Sequence, residues 1–140
     1  MKKAGLVLVV VSAMVMVAGC ATTPEGPTDE ELIQQTLDQF SAAIIEKDID
    51  KLGAILSEKF SAPEGESKQD FLDFMQSAID SGYLDDAEVS REDAQQTMGE
   101  GTCDVYPVDL MSSAGSVSVE LHLTKEDGGW LITSLDVDGM

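Results

Sequence analysis

Apolar residues recur on a helical period in the first half of the chain and on a period of two in the second. Ile33, Leu37, Phe40 and Ile44 fall on one helix face. Ahead of them, Thr28-Asp29-Glu30-Glu31 has the form of a capping box, in which the Thr hydroxyl and the Glu carboxylate each satisfy a free backbone N–H. Its acidic first turn suits the positive end of the helix dipole. Asp48 is expected to end this helix and cap a shorter one, with Leu52, Ile55, Leu56 and Phe60 as its buried stripe. Residues 61–67 read as a loop. Ser67 and Asp70 then cap a third helix, with Phe71, Met75 and Ala78 on one face and Leu72 and Ile79 beside them. Gly82 supplies a left-handed stop.

Farther on, Val117, Val119, Leu121 and Leu123 alternate with Ser118, Glu120, His122 and Thr124, the pattern of a half-buried strand. Asp127-Gly128-Gly129 predicts a tight turn into a partner strand over 130–137. Residues 102–110 read as a strand disturbed by Pro107, which predicts a bulge or a sheet edge. Gly99-Glu100-Gly101 turns into it, and a weaker strand covers 87–97. Helices first and strands afterwards give an α+β domain, with N-terminal helices packed on a curved antiparallel sheet.

Two stretches resemble a known family. They are Glu46-Lys47-Asp48-Ile49-Asp50-Lys51-Leu52 leading to Phe60, and the hairpin Leu123-Thr124-Lys125-Glu126-Asp127-Gly128-Gly129-Trp130-Leu131-Ile132. Together with the long first helix they resemble the nuclear transport factor 2-like superfamily, which includes ketosteroid isomerase-like and polyketide cyclase-like proteins. A cystatin-like or other helix-on-sheet fold is the alternative. The resemblance implies a conical pocket between helices and sheet. In members that are enzymes, a carboxylate takes a proton while a Tyr or a protonated acid stabilises an enolate. Asp104 and Tyr106 lie two apart on one strand and could face the same side, and Tyr83 at the end of the third helix could join them. These three are pocket candidates only. The simpler reading leaves Asp104 solvated on the convex face with Tyr106 at its rim, and no residue is assigned as catalytic.

The start of the chain follows a different logic. Lys2 and Lys3 precede an apolar and small-residue run over 4–17, the length of a signal-peptide core and short for a membrane span of about 20 residues. Val17-Ala18-Gly19-Cys20 then closely resembles the lipobox of bacterial lipoproteins. The resemblance implies removal of residues 1–19 and attachment of palmitate-type acyl chains at Cys20, two or more of which hold a protein stably on a membrane. An uncleaved span over 4–23 is the alternative, and the polar residues that follow at once weigh against it. Residues 20–27 form the lipidated cysteine and its linker, and 28–140 a single domain. Seven extended linker residues reach roughly 25 Å. Ala21 after the lipid cysteine resembles a signal for the outer membrane in bacteria that have one. The expected location is the cell envelope, facing periplasm or exterior.

Charge narrows the partners. The chain carries 27 acidic and 8 basic residues for a net charge of −19. Without Lys2 and Lys3 the balance is 27 against 6, or −21. Such a surface is repelled by phosphate backbones, which excludes nucleic acid as a partner. His122 is the one histidine, on the polar side of its strand, facing solvent or a second copy of the chain; a homodimer stays open. One His and one thiol beyond Cys20 cannot assemble a zinc cluster from soft ligands, and Asp85-Asp86 and the acids over 136–138 lack calcium-loop spacing. No metal and no cofactor is expected. Cys103 reads as a small buried residue, with an intermolecular disulfide as the alternative. Trp130 and the methionines at 75, 98 and 111 are expected to fill the core.

The expected function is therefore a membrane-anchored envelope lipoprotein whose acidic domain binds a small apolar ligand or an envelope protein. An isomerase-, cyclase- or hydrolase-like enzyme using the cone is the alternative. Polar groups converging at the bottom of the cone would favour the enzyme, and a lining of Phe and Met the binding domain. Replacing Cys20 tests the anchor. Cys20→Ser should abolish incorporation of labelled fatty acid, and undiminished labelling would remove the assignment.

Overall fold

The computed structural model describes residues 26–138, so the leader, Cys20 and most of the linker lie outside the described residues. Among the described residues no helix is long and apolar enough to cross a membrane.

Helix α1 spans Asp29–Glu46. Its capping box forms as the sequence predicts. The Glu31 N–H donates to Thr28 Oγ1 at 3.2 Å, and the Thr28 N–H to Glu31 Oε2 at 2.8 Å. Ile33, Thr36, Leu37, Phe40, Ala43 and Ile44 are buried. The helix ends at Lys47, whose φ of 56° is left-handed without being glycine. Asp48 then accepts the Lys51 N–H at 3.0 Å and starts α2, Ile49–Ile55.

The expected helical stripe through Phe60 is corrected here. Leu52 and Ile55 belong to α2, but Leu56 and Phe60 lie in a strand, β1, over Leu56–Ser61. β1 pairs parallel with the last strand of the sheet. Its burial follows no clean alternation, because Leu56, Ser57 and Phe60 are buried while Glu58 and Lys59 are exposed. Spacing alone could not separate it from a helix. Helix α3, Lys68–Asp80, starts at the Ser67–Asp70 box and stops at Gly82, with φ of 80°. The Gly82 N–H donates to Ile79 O and the Tyr83 N–H to Ala78 O, which closes the helix end.

The remaining strands are β2 Glu88–Ser90, β3 Gln95–Met98, β4 Thr102–Ser112, β5 Gly115–Glu126 and β6 Gly129–Val137. The sheet runs β1-β6-β5-β4-β2, with β3 also on β4. It is mixed rather than wholly antiparallel, since the β1–β6 pair is parallel. The weaker strand expected over 87–97 is split in two: β2 pairs with Asp109–Met111, and β3 with Cys103–Tyr106. The split lies opposite Pro107. Proline offers no N–H to a ladder, and β4 bulges between Val105 and Val108, where the Tyr106–Pro107 peptide is cis. A second bulge puts the extra residue Thr133 into β6 opposite His122 and Leu123. Between β5 and β6, Asp127 (φ 49°) and Gly128 (φ 81°) make the predicted two-residue turn.

Bulges bend the strands that carry them. The sheet curves, and its concave face buries Cys103, Val105, Val108, Val119, Leu121, Leu123, Trp130 and Ile132 under the helices. One buried hydrogen bond fixes α1 to the sheet: the Thr36 hydroxyl lies 2.7 Å from the Trp130 carbonyl and 3.1 Å from that of Leu32. The Trp130 indole N–H reaches Asp29 at 3.2 Å, and Lys125 pairs with Asp29 at 2.8 Å. Of the residues assigned to the core, Trp130 and Met75 are buried, whereas Met98 and Met111 are exposed.

Two measurements check this packing. Thr36→Val keeps the shape but removes the donor to a buried carbonyl, and should cost about 1–3 kcal/mol in denaturant unfolding, largely recovered by Thr36→Ser. Cys103 is fully buried, and burial pushes its thiol pKa up. It should resist thiol reagents in the native protein and react at once in denaturant. Rapid native labelling, or a Cys103-linked dimer on a non-reducing gel, would contradict this packing.

Candidate functional site

α3 packs on α2 and β1, and a cavity of about 700 Å³ opens beside it, at the end of the domain formed by the β4–β5 hairpin. Phe40 and Ile44 of α1, Phe71 and Met75 of α3, Val119 of β5 and Leu135 of β6 make its buried walls. Phe74, Tyr83, Met111 and Val117 stand exposed at the rim. The polar side chains of the lining are the hydroxyls of Ser77, Ser81, Ser112 and Ser116 and the phenol of Tyr83. Tyr83 is the one titratable lining residue among the described residues. Nearby, Asp85 pairs with Lys47 at 2.7 Å, and its backbone carbonyl accepts the Ser113 N–H of the hairpin.

The opposite face of the sheet is built from polar side chains. His122 on β5 lies between two carboxylates: its Nδ1 is 2.6 Å from Asp104 on β4, and its Nε2 is 2.7 Å from Asp136 on β6. Glu120 stands 4.0 Å from Nδ1. Partial burial works to lower the His122 pKa, but the hydrogen bonds to Asp104 and Asp136 and the negative charges around it outweigh burial and raise it. Tyr106 donates its hydroxyl to Asp138 at 2.7 Å, and that bond, with the Asp138 charge, raises the phenol pKa. Asp104, Glu120 and His122 each present a ligand atom within 4.8 Å of the others, so this group could hold a metal ion.

This layout has solved counterparts. A protein of unknown function with a cystatin-like fold from Nostoc punctiforme superposes with a TM-score of 0.62 at 13% identity, over 78% of this chain and 89% of that one. A nuclear transport factor 2-like protein from Cytophaga hutchinsonii gives 0.58 at 17% identity, over 81% of this chain and all of that one. An uncharacterised cystatin-like-fold protein from Caulobacter vibrioides gives 0.63 at 12%, over 78% and 87%. The domain has the nuclear transport factor 2-like cone fold. No protein-family profile and no curated protein matches the sequence.

Set in the cone, the three pocket candidates separate. Tyr83 reaches the mouth. Asp104 and Tyr106 share a side, as their spacing implies, but it is the outer side, where Asp104 pairs with His122 and Tyr106 with Asp138. As pocket candidates these two are corrected, and the simpler reading of Asp104 on the convex face stands: Cys103 and Val105 take the buried positions of this strand, so the alternate residues face away from the cone. The sequence reading missed Phe74 and gave Met111 to the core, although both line the cavity mouth. Apolar residues off the main stripe of α3 and at the end of β4 were the available signal. Asp136 as a second partner of His122 was also missed, because the extra residue at Thr133 shifts which β6 side chains face outward.

Proposed function

We propose that this chain is a lipid-anchored cell-envelope protein whose cone holds a small apolar ligand. The observation that carries the reading is the cavity itself: about 700 Å³, walled by Phe, Met, Ile, Leu and Val, with a rim of exposed apolar side chains. That volume falls in the ordinary range for small-molecule sites. General acid–base chemistry needs a titratable group in reach of the ligand, and the described lining offers Tyr83 at the mouth alone. Binding is therefore favoured over the isomerase-, cyclase- or hydrolase-like alternative. The anchor rests on the basic start, short apolar core and Val-Ala-Gly-Cys ending of residues 1–20.

The surroundings narrow the ligand. Lys47 beside the mouth is already paired with Asp85, and Asp80, Asp85 and Asp86 add negative charge around the end of α3. An anionic amphiphile would bring further negative charge to a rim whose described lining holds no lysine or arginine to meet it. A neutral or cationic apolar molecule, with a hydroxyl or amide to meet the serines, fits better.

Uptake of fluorescent probes by the mature chain carrying Cys20→Ser tests this. A neutral naphthylamine probe should bind saturably at one site, and its sulfonated anionic analogue at least tenfold more weakly. Ala78→Trp, which fills the cavity from α3, should cut probe affinity at least tenfold while the unfolding midpoint stays close to that of the parent. Asp104→Asn and Tyr106→Phe, on the far face, should leave it unchanged. Equal binding by the filled variant would end the cavity reading.

A further inference from the structure

We propose that the outer face of the sheet carries a divalent transition-metal site in which Asp104, Glu120 and Nδ1 of His122 are the ligands and Asp136 orients the imidazole. The site shares no residue with the cavity lining and does not rest on the ligand-binding reading.

The strand register builds it. Asp104 and His122 are direct cross-strand partners, and Glu120 lies two residues before His122 on the same face. The three ligand atoms fall within 4.8 Å of one another, with Nδ1 2.6 Å from Asp104 and 4.0 Å from Glu120. Donors held about 2.1 Å from a tetrahedral zinc ion stand roughly 3.4 Å apart. The observed separations straddle that spacing, so small side-chain rotations suffice. On the far side of the ring, Asp136 accepts from Nε2 at 2.7 Å. A carboxylate on the second nitrogen is the arrangement that fixes the tautomer and direction of a metal-bound histidine.

Charge points the same way. A protonated His122 supplies one positive charge to three carboxylates. No lysine or arginine is ion-paired to them among the described residues: Lys47, Lys51, Lys68, Arg91 and Lys125 pair elsewhere, and Lys59 on β1 makes no ion pair with any described carboxylate. A dication replacing the Nδ1 proton matches the surplus better than the proton does. The nitrogen donor selects the class of ion: imidazole suits zinc, copper and nickel, whereas calcium and magnesium take oxygen. With the His122 side chain 28% exposed, solvent can complete the coordination shell. The sequence led to the expectation of no metal, from the lack of a soft-ligand cluster and of calcium-loop spacing; the fold instead brings together a mixed nitrogen–oxygen set.

Zinc titration of the whole mature chain, purified in nonionic detergent without a polyhistidine tag, tests the site. His122 is the one histidine of the sequence, so its ring signals in NMR report on it alone. Those signals should shift and saturate at one equivalent of Zn²⁺, and calcium at the same concentration should not reproduce the shift. Glu120→Gln leaves the Asp104–His122–Asp136 bridge in place and should weaken zinc binding at least tenfold. Asp136→Asn should weaken it about tenfold, the usual effect of losing an orienting carboxylate. Ring signals that do not move at one equivalent, zinc taken up only at many unsaturated sites, or parental affinity in Glu120→Gln would each overturn the proposal.

Discussion

The bend in the sheet governs the rest of the molecule. A flat sheet of this length would give the helices a plane to lie on and leave no interior. β4 gains a residue at Tyr106–Pro107, β6 gains one at Thr133, and both sit beside the middle of β5. The concave side then becomes deep enough to bury α1 from Ile33 to Ile44, and Thr36 can bond the backbone of β6. The β4–β5 hairpin projects beyond the region that α1 and α2 fill, and the cavity is the space left there. The same bulge breaks the outer ladder of β4, so two short strands cover its edge instead of one. That division protects a long strand from pairing with a neighbouring molecule.

The sheet also separates two chemistries. Its inner side chains are apolar almost without exception, and its outer ones on β4, β5 and β6 are mostly carboxylates and hydroxyls, with one imidazole and the aliphatic Leu131. Alternation along each strand does this directly. The result is a cavity whose walls carry little electrostatic character and a far surface that is mainly electrostatic. The cavity lining and the carboxylate–imidazole group share no residue.

Legibility in the sequence tracked how local each cause is. Both capping boxes were readable because a cap involves residues three apart, as at Thr28–Glu31 and Ser67–Asp70. The turn at Asp127–Gly128 was readable for the same reason. β1 was not: it is a strand because β6, more than seventy residues later, offers a free edge at Ile132–Ser134. Of the cavity, the buried half and Tyr83 at the mouth were visible, since Phe71 and Met75 fit a helical stripe while Phe74 does not. A cavity is an absence of packing, and periodicity marks only where packing occurs. On the outer face Asp104 and His122 were each readable as outward residues, but their meeting depends on register and on where the bulges fall.

The mouth of the cavity carries a hazard that the rest of the chain offsets. Phe74, Tyr83, Met111 and Val117 form the kind of exposed apolar rim that makes domains stick to one another. A chain with a net charge of −19 meets its copies with like charge before two rims can touch. The acid coat is thus a colloidal device: it lets an open apolar aperture persist among copies of itself. Its reach is the Debye length, about 8 Å at physiological ionic strength and roughly 3 Å at 1 M. Concentrated salt relieves the crowding of charge within each molecule and also strips the barrier between molecules.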